Sequence, residues 1–255
     1  SDAASQKMNK VKSETEKEKY KDKYVFTPHR SSMYPFLTES TRRDLREILY
    51  KSYIMRGDNN NETDNKKINA QIAKLRAERA KIMGYKTHAH FILEENMLKT
   101  PEEVYELLIQ LWEPALERAK AEVADMQMVA DNEGQNFKIA AWDWWQYSEK
   151  VRKEKYDLDE SAIKPYMSLD NVIQGVFNTT NKLWGLNFKE IFDIDLYHPD
   201  ARVWEVTDKD GSHLALFIGD YFTRSNKRGG AWMSSFKSQS NLDGSERPIV
   251  VNVCN

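Results

Sequence analysis

Between residues 45 and 184 the apolar side chains return every three to four positions, and near residue 200 that period changes to two. A chain patterned in this way builds amphipathic helices first and strands afterwards, which confines it to a mainly helical α+β class with a small hairpin or sheet in its C-terminal quarter. Leu45, Ile48, Leu49, Ser52 and Tyr53 fall on one helix face that stops near Gly57. Ile68, Ile72, Leu75, Arg79 and Ile82 make a second stripe that ends at Gly84. Thr87 is placed to cap a short helix running to Leu98. Thr100-Pro101-Glu102-Glu103 is a capping box with proline at the first helical position, and it opens a long helix directed at Gly134. Pro114 lacks the amide that the ladder needs there and is expected to kink or break that helix. Further helices are predicted over residues 143–156, 160–166 and 170–184. The last carries Ile173, Val176, Phe177, Thr180 and Trp184 on one face and Gly185 as its stop.

Proline shapes the reading before this region as well. Residues 26–37 contain Pro28 and Pro35, and because proline also pushes its predecessor out of helical space, the segment reads as an ordered crossing loop. Beyond residue 200, Asp208-Lys209-Asp210-Gly211 is a turn between two strands, residues 226–231 form a Gly-rich loop, and residues 248–254, apolar except for Asn252, read as a buried strand. The division that follows is a charged lead-in helix or arm over residues 1–25, a helical region over 26–200, and a small β region over 201–255.

Charge removes several function classes. Thirty-eight basic residues stand against forty acidic ones, a net charge of −2, so no global field draws nucleic acid or an anionic membrane to the chain. No apolar stretch reaches signal-peptide or membrane length, and the single cysteine, Cys254, has no partner for an internal disulfide. The expected compartment is cytoplasmic, or periplasmic for a mature form whose signal has been removed.

Chemistry at the level of single motifs is sparse. None of the five histidines is followed by glutamate, so the sequence has no H-E-x-x-H zinc helix. His88 and His90 are the one close pair, but side chains two positions apart on a helix diverge by about 200° and cannot chelate one ion. The glycines match neither G-x-x-x-x-G-K-S/T nor G-x-G-x-x-G, there is no G-x-S-x-G elbow, and Cys254 lies in an apolar strand that disfavours a thiolate. Two stretches stand out. Trp142-Asp143-Trp144-Trp145-Gln146-Tyr147 is either a stacking surface for a ligand such as a carbohydrate or, as such area-rich side chains usually are, packing between helices. Lys227-Arg228-Gly229-Gly230-Ala231-Trp232 sets two cations and two glycines beside an aromatic ring. Its bare backbone can approach an anion or an extended peptide, and a mobile surface loop is the competing account.

Taken in order, several blocks resemble the thimet-oligopeptidase and peptidyl-dipeptidase family of zinc metallopeptidases, and most closely its peptidyl-dipeptidase (dipeptidyl carboxypeptidase) branch. They are Ser31-Ser32-Met33-Tyr34-Pro35-Phe36-Leu37, the run from Leu75-Arg76-Ala77-Glu78-Arg79 to Tyr85-Lys86, Trp142-Asp143-Trp144, Lys164-Pro165-Tyr166, Trp184-Gly185-Leu186-Asn187-Phe188 and Tyr197-His198-Pro199-Asp200. The last is Asp220-Tyr221-Phe222 through Arg224, Lys227, Arg228, Gly229, Gly230, Ala231, Trp232 and Met233. The resemblance implies part of a zincin-like, neurolysin-like helical fold around a deep channel, zinc held by H-E-x-x-H plus a downstream glutamate, and cleavage of short peptides. In that family the strand matching Val250 to Asn255 is followed by the zinc helix, whereas this sequence ends at Asn255. The resemblance therefore implies an internal portion of such an enzyme: no catalytic residue, no metal ligand, no zinc expected on this chain, and no hydrolysis by it alone.

Arg228, Gly229, Gly230, Ala231 and Trp232 are the implied substrate-binding residues, lining the channel wall, with short peptides as ligand. A non-catalytic helical peptide-binding module is the alternative. The strand over residues 249–253 is expected to present a bare edge, so the remaining catalytic part of the enzyme or a second copy of the chain is the expected partner.

Overall fold

The computed structural model describes residues 24–156, 160–224, 226–242 and 244–254. Apart from Tyr24 and Val25, the charged lead-in lies outside the described residues. The chain forms two compact units that divide between residues 157 and 158, and the α+β class expected from the change of period is what the structure shows.

The first unit is helical: α1 (Arg30–Glu39), α2 (Arg43–Ile54), α3 (Lys66–Ile82), α4 (His88–Leu93), α5 (Pro101–Asn132) and α6 (Trp144–Tyr156). The sequence rules place several of the ends. Thr100 accepts from the Glu103 amide while the Glu103 carboxylate accepts from the Thr100 amide, so the capping box is complete. Gly84 takes φ +84°, and the Tyr85 amide reaches back to the Ala80 carbonyl at 2.9 Å, closing α3. Two expectations need correction. Residues 26–37 are not simply a crossing loop, because Arg30–Glu39 is a helix with Pro35 inside it. Met33 and Leu37 are four positions apart and both fully buried with Leu49, and that burial offsets the ladder bond which Pro35 cannot make. The helix after Thr87 ends at Leu93 rather than Leu98, where the Asn96 side-chain amide donates to the Ile92 carbonyl at 2.6 Å and competes with the ladder. α5 continues through Pro114 as one helix of 32 residues.

An ion cluster joins α1, α2 and α6. Asp143 has no exposed surface, and Arg46 is 1% exposed. Arg46 Nη2 donates to Asp143 Oδ1 at 2.7 Å, Arg43 Nη2 to Asp143 Oδ2 at 2.9 Å, and the Ala140 amide to Oδ2 at 3.0 Å. Arg46 Nη1 also donates to the Ser40 carbonyl at 2.7 Å, as does the Gln146 side chain at 2.9 Å, so the end of α1 is tied to α2 and α6 together.

The second unit contains α7 (Glu160–Ile163), a 3₁₀ turn (Lys164–Met167), α8 (Leu169–Trp184) and β1 (Asn187–Ile191), β2 (Arg202–Thr207), β3 (His213–Asp220), β4 (Ala231–Lys237) and β5 (Ile249–Cys254). Among the described residues the sheet order is β1-β2-β3-β5-β4, antiparallel except for the β3–β5 pair. α8 packs on one face, with Phe177 stacked on Phe188 at 4.0 Å between ring centroids and set edge-on to Trp204. Ile173 and Phe177 are buried as the periodicity requires. Val176 and Trp184, assigned to the same face, are 53% and 61% exposed. Val203, Ile218, Val251 and Val253 form the cluster on the opposite face.

The expectation of a bare edge at residues 249–253 is overturned. β5 lies between β3 and β4 and is paired on both sides, and the exposed edge on that side of the sheet is β4.

The Asp143 cluster yields the first test. Asp143→Ala strands two guanidinium groups, one of them buried, and is expected to lower the stability of the helical unit by about 3–5 kcal/mol. Urea unfolding followed by tryptophan fluorescence reads this, and an unchanged midpoint would contradict it.

Candidate functional site

The site is built where β3 ends and β4 begins. Residues 221–230 connect the two strands. Arg228, Gly229 and Gly230 are exposed at the far end of that loop. Ala231 and Trp232 belong to the strand instead, since Ala231 lies opposite Cys254 and Trp232 opposite Val253 in the β4–β5 ladder. The five expected residues are consecutive in the chain, and the structure divides them between loop and edge strand. Gly230 has φ +108°, a conformation that side chains resist, whereas Gly229 has an ordinary φ and a Cβ there would meet nothing within 4 Å. Packing therefore does not demand glycine at 229, and the bare backbone faces outward. Trp232 is 53% exposed, and no described strand pairs with the outer side of β4.

Beneath the loop lies a cluster whose members occur in the sequence blocks but whose convergence the sequence does not reveal. Asp220, the last residue of β3, is 1% exposed. The Tyr197 hydroxyl donates to its Oδ2 at 2.9 Å, Arg224 Nη1 to Oδ1 at 2.7 Å with Nη2 on Oδ2, and Lys227 Nζ to Oδ1 at 2.8 Å. Burial alone would push this carboxyl up, but the hydrogen bonds from Arg224, Lys227 and Tyr197 outweigh it and hold the group well below the usual carboxylate range. Burial, and then the hydrogen bond to the Asp220 carboxylate, push the Tyr197 phenol up to about 12. Asp220, Arg224 and Lys227 lie four and three residues apart in a segment without periodicity, so the sequence names them in one block without signalling that they meet.

The other candidates are placed less functionally. Trp142, Trp144 and Trp145 are half-buried. Trp145 packs against Tyr34 and Tyr50 at 5.6 and 6.0 Å, and Trp142 against Tyr50 at 6.4 Å, as helix-packing aromatics do. His90 Nδ1 is within 2.8 Å of the Thr87 hydroxyl, which belongs to the α4 cap. Among the described residues no three His, Cys, Asp or Glu side chains converge as metal ligands, and no helix is long and apolar enough to cross a membrane. Cys254 is half-buried, and its carbonyl accepts from Lys227 Nζ at 2.8 Å.

Comparison with known proteins follows this geometry. A family model described as peptidase family M3 matches residues 36–255. Dipeptidyl carboxypeptidase of Salmonella typhimurium is 40% identical over 247 residues, which cover 96% of this chain and 36% of that protein. Dipeptidyl carboxypeptidase of Escherichia coli is also 40% identical, over 92% of this chain and 34% of its own. Oligopeptidase A of Escherichia coli is 31% identical over 91% of this chain and 35% of its own. The chain spans about a third of the length of these curated relatives.

The buried carboxylate generates a pH test. Its pKa in the fold lies below the ordinary value of 3.8, so the stability it contributes is present above that value and is lost as the pH falls through it toward the folded pKa. The stability difference between the wild type and Asp220→Asn is expected to stay level between about pH 8 and pH 5 and to shrink below about pH 4. A difference independent of pH down to acid unfolding would contradict it.

Proposed function

Because this chain belongs to peptidase family M3, we propose that it supplies the peptide-binding wall of a zinc metallopeptidase acting on short peptides, as a peptidyl-dipeptidase or oligopeptidase does. One observation carries the reading: a bare, outward-facing Gly229-Gly230 segment runs directly into an edge strand, β4, whose outer side is unpaired among the described residues. An extended peptide laid along such an edge gains main-chain hydrogen bonds that depend little on its sequence. Arg228 offers an exposed guanidinium to a carboxylate, and Trp232 an apolar face to a side chain.

Zinc is the family's cofactor, and it polarises a scissile carbonyl and activates water when bound. The described residues do not fit a zinc site, since no three ligating side chains converge among them, and the sequence has no H-E-x-x-H pair. No step of peptide cleavage is therefore assigned to a residue here, and the chain by itself is proposed to bind without cleaving.

The proposed partner is the remainder of a peptidase of the relatives' length. Large apolar side chains support this. Ile68, Ile72 and Leu75 on α3 and Leu108, Leu111 and Trp112 on α5 are each between 41% and 60% exposed, far more than isolated surface apolar residues need be.

Two experiments test these readings. Tetra-alanine titrated into the chain is expected to bind without being hydrolysed, and Gly229→Val to weaken binding by about tenfold, or about 1.4 kcal/mol, without moving the thermal midpoint. Turnover with one equivalent of tightly held zinc would overturn the non-catalytic reading, and flat calorimetry would overturn the peptide surface. Light scattering is expected to show concentration-dependent association that Leu111→Glu with Trp112→Glu reduces. A monodisperse monomer at every concentration would argue against an unfilled docking face.

A further inference from the structure

We propose that Lys227 is the positioning residue of the peptide-receiving segment, a single buried ammonium that fixes the Gly229-Gly230 loop against the ends of β3 and β5. The proposal rests on reading residues 228–232 as the surface that meets peptide. Lys227 does not meet peptide itself, since its side chain is 7% exposed. Its Nζ donates to Asp220 Oδ1 at 2.8 Å and to the carbonyls of Asp220, Phe222 and Cys254 at 2.9, 2.7 and 2.8 Å. Its three N–H groups thus meet oxygens from the end of β3, the start of the loop and the end of β5.

The position of those anchors matters for the loop. Cys254 is the residue opposite Ala231 in the β4–β5 ladder, so Lys227 is bound to the strand that receives the first residue of β4. Only residues 228–230 span the interval between these two fixed points. A Cβ at Gly229 or Gly230 would meet nothing within 4 Å, so no side chain at these positions anchors them, and their order depends on how firmly the two ends are held. Asp220 is in turn held by Arg224 and Tyr197, and the Tyr197 ring lies 6.2 Å from that of Phe236 in β4. The clamp therefore reaches both the beginning of the edge strand and the neighbourhood of its end. A surface fixed in this way binds peptide without first bearing the entropic cost of ordering the loop.

Lys227→Met in the full 255-residue chain tests the assignment. Arg224 still compensates Asp220 in this variant, so the charge is not stranded. Circular dichroism is expected to be retained, amide exchange over residues 228–233 to accelerate by about tenfold or more, and tetra-alanine affinity to fall by a similar factor at a temperature where the variant is folded. A merely structural lysine would lower the unfolding midpoint and leave both the affinity and those amides of the folded chain unchanged. Unchanged exchange overturns the proposal, and so does accelerated exchange with undiminished peptide binding. If the wild-type chain ignores tetra-alanine while exchange in the variant accelerates, the clamp stands and the peptide reading falls. Should Lys227→Met fail to fold, Tyr197→Phe decides: it removes one hydrogen bond from Asp220, and acceleration of the same amides by about threefold supports the clamp, whereas no change overturns it.

Discussion

A carboxylate removed from water must be met by donors and cations, and each compact unit of this chain is organised around one such group. Asp143 collects Arg43, Arg46 and the Ala140 amide, and Asp220 collects Arg224, Lys227 and the Tyr197 hydroxyl. Buried ion clusters contribute little net stability compared with well-packed apolar residues, because desolvation consumes most of the Coulomb gain. Their effect here is geometric. The Arg46 guanidinium spans Asp143 and the Ser40 and Trp142 carbonyls, which sets three segments at one distance from each other. Lys227 does the same for β3, β5 and the loop between β3 and β4.

What the sequence made legible follows from which interactions are local. Thr100 with Glu103, Gly185 at φ +78° and the Asp208 to Gly211 turn are settled within four or five residues, and all of them lie where the pattern put them. The elements that were missed depend on distant partners. Asn187–Ile191 and Ala231–Lys237 have no uninterrupted apolar run, and they are strands because β2 and β5 pair with them. Arg30–Glu39 is helical against the local signal of Pro35 because Met33 and Leu37 find a buried site beside Leu49, which no window of the sequence can report.

The same distinction separates the two halves of the candidate site. Gly229, Gly230 and Trp232 were legible through residue type, because glycine beside an aromatic ring and two cations is unusual at any position. The burial of Asp220 was not, since an aspartate at a strand end ordinarily faces water. Only the fold brings Tyr197 from 23 residues upstream and the Cys254 carbonyl from 27 residues beyond Lys227 to the same point.

The exposed side chains then acquire a consistent meaning. β4 has every residue exposed, with Trp232, Met233 and Phe236 all more than half so, yet its backbone is fixed on its inner side by β5 and its start is anchored through Lys227. Rigid backbone with an unpaired outer edge is suited to a ligand that is itself backbone, because the donors and acceptors are already aligned when it arrives. On α3 and α5 the exposure is of another kind. Apolar stripes on regular helices have side chains and no free main-chain groups, so a surface that covered them would have to be apolar in its turn. One edge offers hydrogen bonds and the helical faces offer area. That contrast is why a peptide is proposed for the first and a larger apolar surface for the second.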